Sequence, residues 1–263
     1  MQKRHIDRLQ YVNEQVISTE KYIVPYIEQK KGIKPGMQVM EIGCGEAGNL
    51  KPFLDRGCIC TGVDFSEPKI EKGRAFFASH PMVANLKLIS EDIYKTNDFD
   101  GKFDIIFLRD VIEHIHDQDK FLGLMKKWLS PDGVAFFAFP PWQNPFGGHQ
   151  QICESKILSH LPYFHLLPMF LYKALLKLFG ESKVKVNSLV EIKETGISLE
   201  QFEQLYLKNG YEKVEKTLYF INPNYDIKFG LKPRKLNKLI ASIPYLKNFF
   251  TTTGYYLIKL SRI

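Results

Sequence analysis

The chain has 263 residues, 44% of them hydrophobic, which is enough to bury the core of one enzyme-sized globular domain. Its formal net charge is +7, but residues 227–263 contain eight Lys or Arg and no Asp or Glu, so residues 1–226 sum to −1. The basic character is therefore confined to the C-terminal part, and no nucleic acid partner is expected.

The N-terminal region, residues 1–35, is predicted to be helical to about Lys31 and to end in a turn at residues 32–36. Its first five residues include charged side chains, and no apolar signal-peptide core follows them. The four cysteines of the chain show neither zinc-type nor paired redox spacing. A reducing cytoplasm is the expected location.

The first predicted strand, Val39 to Ile42, runs into a glycine-rich turn that contains Gly43, Gly45 and Gly48. Glycines at this spacing allow a tight turn, let a ligand approach bare main chain, and let the following helix pack close to the strand. The pattern is typical of nucleotide-cofactor loops, but it also occurs in dinucleotide enzymes and by chance in turns. The later elements must therefore decide between these classes.

The second predicted strand, Cys58 to Val63, ends at Asp64. Asp64 comes 21 residues after Gly43, where an acid binds ribose hydroxyls in folds of this kind. An S-adenosylmethionine enzyme and an NAD-dependent oxidoreductase would both place an acid here.

Three further strands follow, with helical segments between them. Their predicted ranges are Leu86 to Ile89, Phe103 to Leu108, and Val134 to Phe139 after a turn at residues 129–133. The predicted helices are Lys51 to Leu54, Pro68 to Ser79 and Gln118 to Leu129. Strands that alternate with helices indicate a parallel sheet with right-handed crossovers.

These five ordered motifs, over residues 36–140, resemble the class I S-adenosylmethionine-dependent methyltransferases. The resemblance implies an α/β fold with a seven-stranded, mostly parallel, doubly wound sheet, in which strand seven runs antiparallel beside strand six. It also implies S-adenosylmethionine as the cofactor and residues 36–140 as the cofactor-binding core. An NAD-dependent oxidoreductase would explain only the glycines and Asp64, and a non-catalytic cofactor-binding subunit is a further alternative.

The resemblance also implies roles for individual residues on the cofactor side. Arg109 matches a position whose backbone faces the methionine end of the cofactor, although its side chain could simply be a surface charge. Glu41 is expected on the cofactor side or in support of the loop, and Asp92 at the adenine amino group or as a helix cap. The predicted cofactor-binding residues are Glu41, Gly43, Gly45, Gly48, Asp64, Phe65, Asp92, Ile93 and Arg109.

Two sites compete for the catalytic role. Asp110, Glu113 and His114 resemble a Glu-x-x-Glu-His motif that ligates a divalent cation in some methyltransferases and only orders a helix start in others. Asp110 and Glu113 lie three residues apart and can face one side of a helical turn, while His114 adds a borderline ligand. We expect no metal, because Asp110 replaces the usual Glu. His149, after a Gly147-Gly148 pair predicted to be flexible, is either a base for a hydroxyl acceptor or a structural hydrogen-bonding residue.

The remaining chain contains two segments, residues 141–197 and 222–252, that interrupt the strand pattern. Between and after them, Lys213 to Ile221 and Thr253 to Leu260 are predicted as strands six and seven, and Ser198 with Gln201 has the pattern of a capping box. Both insertions leave the sheet edge where ligands bind in open α/β folds, so a helical cap over the substrate is expected. The whole chain, 1–263, then forms a single domain.

The composition of the first insertion indicates which class of methyl acceptor to expect. A helix is predicted over Met169 to Phe179, with Lys173 and Lys177 on one solvated edge, and the segment is too polar for a membrane span. Together with the acid-free C-terminal part, it indicates a small-molecule or lipid-linked acceptor, methylated at oxygen, and a peripheral membrane contact. An internally packed lid explains the same residues. Neither the acceptor nor the oligomeric state can be read from the sequence.

Overall fold

A computed structural model describes residues 8–96 and 99–261. The charged stretch at residues 1–5 lies outside the described residues. The described chain forms one eight-stranded sheet, ordered β3-β2-β1-β4-β5-β8-β6-β7, with helices packed against it. The predicted α/β class is confirmed.

The first five strands are parallel and form the part of the sheet that carries the glycine loop. They are β1 (Gln38–Ile42), β2 (Ile59–Asp64), β3 (Leu86–Ser90), β4 (Phe103–Arg109) and β5 (Leu129–Phe139). The central strands read as apolar runs because both of their faces are buried. The predicted turn at residues 129–133 is instead the irregular start of β5, where the pairing with β4 shifts register.

The other half of the sheet is antiparallel in part. β8 (Thr253–Leu260) lies between β5 and β6 (Tyr211–Ile221) and runs antiparallel to both, as predicted for strand seven. An additional strand, β7 (Arg234–Lys235), pairs with the end of β6 inside the second insertion. The sheet therefore has eight strands rather than seven, since a two-residue strand leaves no periodicity in a sequence.

The helices agree with the predicted segments and add several in the insertions. They are α1 (Arg8–Ser18), α2 (Val24–Glu28), α3 (Lys51–Asp55), α4 (Glu67–Phe77), α5 (Gln118–Trp128), α6 (Met169–Leu178), α7 (Lys183–Thr195), α8 (Leu199–Lys208), α9 (Asn224–Phe229), α10 (Lys238–Ser242) and α11 (Leu246–Phe250). A π-helical segment, Thr19–Ile23, joins α1 to α2. The Ser198 hydroxyl accepts the Gln201 backbone N–H at 3.1 Å and caps α8.

The hydrophobic core has three parts. Two large clusters cover the two faces of the sheet. The third lies within residues 153–189 and includes Phe164, Tyr172 and Leu176. The first insertion thus packs around an apolar centre of its own, while the division of the chain into a core and two cap insertions stays a prediction.

Candidate functional site

A cavity of about 230 Å³ lies at the carboxyl end of β1, beside the glycine loop. Residues 43–46 and 109–111 form one side of it, and α1 and α9 contribute the other. This is the sheet edge at which open α/β folds bind ligands. The further side chains in its wall are Tyr11, Glu14, Gln15, Ser18, Asn49, Lys69, Asn224, Ile227 and Lys228.

Two glycines of the loop are required by their surroundings. Gly43 has φ +68°, and a Cβ there would lie 2.6 Å from a Val111 methyl group. At Gly48, a Cβ would lie 2.8 Å from the Val12 carbonyl oxygen and 2.8 Å from the Gln15 side chain. The absence of a side chain at Gly48 therefore makes room for the N-terminal helix α1, and not only for the helix that follows the loop.

Glu41 is 1% exposed and lies behind the cavity wall. One carboxyl oxygen accepts the Asn49 side-chain N–H at 2.6 Å, and the other has no hydrogen-bond partner among the described residues. Burial raises the pKa of Glu41 to about 8, although Asn49 and Arg109 oppose this shift. Its role toward the cofactor stays a prediction, and its geometry fits the alternative role of supporting the loop.

Asp64, at the end of β2, is buried and holds the loop from below. Its two carboxylate oxygens accept the backbone N–H groups of Gly45 and Ser66, each at 2.9 Å. Each oxygen keeps a further lone pair that a ribose hydroxyl could use. The predicted ribose contact is thus compatible with a carboxylate that is already oriented.

The predicted adenine side is open to solvent. The Phe65 side chain is 83% exposed, and Ile93 packs partly against the core. Asp92 is exposed, and its side chain accepts the Tyr94 backbone N–H at 3.0 Å. This local turn resembles the cap role that the sequence left open, so the adenine contacts of these three residues stay predictions.

Arg109 is partly buried and is not a free surface charge. Its Nη1 lies 2.8 Å from the Ser18 hydroxyl and 2.8 Å from Asn49 Oδ1, and its Nη2 donates to Asn224 Oδ1. Through Asn49 this group reaches Glu41. We call Glu41, Asn49, Arg109, Ser18 and Asn224 the arginine cluster.

Asp110 and Glu113 lie in different surroundings. Asp110 has φ +56° and lies in the cavity wall, whereas Glu113 is 4% exposed in a 3₁₀ turn, Ile112–His114. Neither carboxyl oxygen of Glu113 has a hydrogen-bond partner among the described residues. Burial, followed by the charge of Asp110, raises the pKa of Glu113 well above its usual range. The group of possible ligand atoms that the structure brings together contains Glu113 and His114 of the predicted set but not Asp110.

That group contains both predicted catalytic histidines. Ligand atoms of Glu113, His114 and His149 lie within 4.8 Å of one another, and the two imidazole rings meet edge to face at 4.9 Å. We call these three residues the histidine cluster. Burial lowers the pKa of both histidines, that of His149 to about 4. Both imidazoles are therefore neutral at pH 7 and have a lone pair available.

The backbone holds His149 in place through close packing. His149 itself has φ +53°. A Cβ on Gly147 would lie 2.3 Å from the Trp142 carbonyl oxygen, and a Cβ on Gly148 would lie 2.3 Å from His165. The glycine pair is thus needed for close approach, and its expected flexibility stays a prediction.

The donors of the histidine cluster also suit a divalent cation. One carboxylate and two imidazoles are a ligand set for borderline ions such as Zn²⁺ or Fe²⁺, and the charge of Glu113, which is buried and has no hydrogen-bond partner among the described residues, would be neutralised by such an ion. Asp110, part of the predicted set, would not belong to it.

Several residues in the cavity wall were not predicted from the sequence. Asn49 is buried one residue after the last loop glycine, and a polar side chain at that position could have been noticed. The contributions of α1 and α9 depend on chain segments that are distant in sequence, and no local pattern marks them.

The geometry of this edge agrees with a family comparison. Residues 13–181, more than half of the chain, match the model of a family described as a methyltransferase domain. The chain belongs to this methyltransferase family. Membership accounts for the whole series of motifs and decides against the NAD-dependent oxidoreductase, which explained only two of them.

A curated relative and two solved structures illustrate the similarity. The ubiquinone biosynthesis O-methyltransferase of Pasteurella multocida is 26% identical over 121 residues, which cover 43% of this chain and 50% of that protein. The match thus spans about half of the relative's length.

The geranyl diphosphate C-methyltransferase of Streptomyces coelicolor, solved with S-adenosylhomocysteine, has a TM-score of 0.57 at 13% identity, over 93% of this chain and 79% of that one. Phosphoethanolamine N-methyltransferase 2 of Haemonchus contortus, solved with S-adenosylmethionine, has a TM-score of 0.57 at 14% identity, over 90% and 51%. These two structures are similar in fold, and their names refer to methylation at carbon and at nitrogen. The shared fold therefore leaves the acceptor atom open.

Proposed function

We propose that this chain transfers the methyl group of S-adenosylmethionine to an oxygen atom of a small or lipid-linked acceptor. The observation that carries the proposal is the position of the histidine cluster. Two of its residues, Glu113 and His114, come shortly after Asp110 and Val111, which line the cavity beside the glycine loop, and His149 lies against them. The O-methyltransferase name of the relative supports oxygen as the acceptor atom.

Methyl transfer requires little covalent chemistry from the protein itself. Bound S-adenosylmethionine supplies an electrophilic methyl group, so the chain has to orient the acceptor and exclude water. Asp64 and the glycine loop would hold the cofactor, and His149 would take the hydroxyl proton. Since an imidazole with a pKa near 4 is a weak base, it suits an acidic hydroxyl such as a phenol better than an alcohol.

The test is methyl transfer from labelled S-adenosylmethionine to a panel of purified acceptors. The panel holds phenols and catechols, each with and without a prenyl chain, and amines and aliphatic alcohols of similar size. We expect labelled product from the phenols or catechols. Transfer only to amines would overturn the oxygen assignment, and tighter binding of NAD than of S-adenosylhomocysteine would overturn the cofactor.

A second candidate mechanism has a cation in the histidine cluster. The unpaired oxygens of buried Glu113 favour it, and such an ion would act as a Lewis acid toward the acceptor oxygen. Chelator treatment followed by addition of Zn²⁺, Mn²⁺ or Mg²⁺ separates the two mechanisms. Turnover that resists the chelator supports His149 as a base, whereas loss and metal-specific recovery supports the cation.

We further propose that the two insertions contact a membrane surface. On α6, Phe170 and Leu178 are 71% and 80% exposed, beside the exposed Lys173 and Lys177. In the second insertion Leu239 is 77% exposed. The insertions touch each other, since the Asn144 side chain donates to the Thr251 carbonyl at 2.7 Å. Within the described residues, no helix has the length and apolar character to cross a bilayer.

Flotation with liposomes tests this contact. We expect salt-sensitive binding to vesicles that contain anionic lipid, and a loss of binding in the Phe170→Ser, Leu178→Ser double variant. Leu207→Ser is the matched control, because Leu207 is exposed on α8, outside both insertions. No binding by the native chain would leave the insertions as a packed lid.

A further inference from the structure

Arg109 joins three segments that are far apart in the sequence. Ser18 lies at the end of α1, Asn49 follows the glycine loop, and Asn224 begins α9. A planar guanidinium spreads five N–H donors over three nitrogens and can reach all three segments at once, whereas an ammonium group has three donors on a single nitrogen.

The partners of Arg109 are neutral. Among the described residues no carboxylate forms a salt bridge with it, and Glu41 lies beyond Asn49. Neutral partners hold a guanidinium by geometry more than by charge. Hydrogen bonds to neutral partners act only at short range, so they break when the segments move apart.

The segments that Arg109 joins also cover the cavity. Tyr11 and Gln15 of α1 line it from one direction, Ile227 and Lys228 of α9 line it from another, and the two helices pack against each other. A ligand in the cavity is therefore enclosed by α1 and α9.

Two features mark the junction between these helices. The segment Thr19–Ile23 is π-helical, an arrangement that is rare and is often found at functional sites. From this segment the Tyr22 hydroxyl and the Lys21 ammonium both reach Asp226 of α9, at 2.6 Å each. The contacts at Asp226 thus join the π-helical segment to α9, and the contacts at Arg109 join the end of α1, one residue before that segment, to α9.

We propose that Arg109 is a positioning residue that holds α1 and α9 closed over the cofactor cavity. The inference rests on the proposed use of S-adenosylmethionine. Arg109 then sets how fast the product S-adenosylhomocysteine leaves, without itself taking part in methyl transfer.

The test measures S-adenosylhomocysteine binding by stopped flow, together with hydrogen exchange of residues 8–23 and 224–229. In the native chain, S-adenosylhomocysteine should slow exchange in both ranges. In Arg109→Met this protection should be lost and the dissociation rate should rise about tenfold to a hundredfold, while the association rate changes less than threefold. Arg109→Lys should recover only part of the effect, because it reaches fewer partners.

Arg56→Met is the matched control. Arg56 also binds the π-helical segment, through two contacts to Glu20, but it lies outside the cavity. Its replacement should change dissociation less than twofold. An equal rise in both variants would mean general loosening of the segment and would overturn the proposal.

Asn224→Ala keeps the proposal testable if Arg109→Met does not fold. It should raise the dissociation rate severalfold, and adding it to Arg109→Met should have little further effect, because Arg109→Met already removes the contact to Asn224. Dissociation rates within twofold of the native value would refute the role of Arg109. Absence of S-adenosylhomocysteine binding by the native chain would instead refute the proposed cofactor.

Discussion

Two groups of polar side chains adjoin or include residues that line the cavity, and they differ in how their polar atoms are used. In the arginine cluster, Arg109 and Asn49 make hydrogen bonds that connect the glycine loop, α1 and α9. In the histidine cluster, Glu113 makes no side-chain hydrogen bond among the described residues, and His114 and His149 meet only edge to face. Apart from one carboxyl oxygen of Glu41, the arginine cluster uses its polar atoms in structural contacts, whereas both carboxyl oxygens of Glu113 are available.

The difference indicates where chemistry can take place. A buried polar group without a partner costs free energy, so its presence suggests that a ligand or a reaction uses it. A bonded group already has its partners. The histidine cluster is therefore the better candidate for catalysis, and the arginine cluster for holding the site together.

The largest expected effect is on catalysis through the histidine cluster. His149→Ala should lower methyl transfer by about 10²–10⁴-fold and leave the affinity for S-adenosylhomocysteine nearly unchanged. His160→Ala is the control, since His160 is exposed in the same insertion. Initial rates with the phenol panel measure both variants. Full activity in a folded His149→Ala protein would contradict the contrast between the clusters.

The next effect is a pH dependence within the arginine cluster. The pKa of Glu41 is raised to about 8 in the folded chain, from 4.5 for a free glutamate. Between these two values the folded chain keeps the Glu41 proton and the unfolded chain has lost it. The free energy of unfolding should therefore fall by roughly 3 kcal/mol as the pH rises from 5 to 8. Glu41→Gln should remove this slope in urea titrations. Parallel curves for the two proteins would mean that Glu41 is ionised in the folded state.

The free energies of unfolding of two variants, one in each cluster, test the contrast between the clusters directly. Asn49→Ala should lower the free energy of unfolding by about 2–3 kcal/mol, because Glu41 and Arg109 each lose a buried partner. Glu113→Gln keeps the shape of a side chain that has no bonds to lose, and should cost less than about 1 kcal/mol. Urea unfolding at pH 6 measures both. A larger cost for Glu113→Gln would reverse the assignment of structural and catalytic roles.

The smallest of the four effects concerns the cofactor itself. Asp64→Ala should weaken S-adenosylhomocysteine binding by about 1.5–3 kcal/mol, or tenfold to a hundredfold, since a charged hydrogen bond is lost. Asp64→Asn keeps one acceptor for the Gly45 or Ser66 N–H group, so its affinity for S-adenosylhomocysteine should lie between that of the native chain and that of Asp64→Ala. Calorimetry provides the values. Unchanged affinity in a folded Asp64→Ala protein would place the ribose elsewhere.

The sequence by itself determined the parallel half of the sheet, the glycine loop and the family. Those features depend on local patterns: apolar runs of strand length, glycines where Val111 and α1 leave no room for a Cβ, and an acid at the end of β2. Each can be read within about ten residues, because backbone geometry and burial on both faces restrict the residue types.

Only the tertiary structure decided which polar side chains meet. Glu113 and His149 lie 36 positions apart in the sequence, and Arg109 contacts residues from Ser18 to Asn224. Asp110, in contrast, is near Glu113 in sequence but turns into the cavity wall because its φ is +56°. Contacts between distant segments depend on how the insertions and α1 pack on the sheet, and that packing is fixed by the whole core rather than by any local pattern.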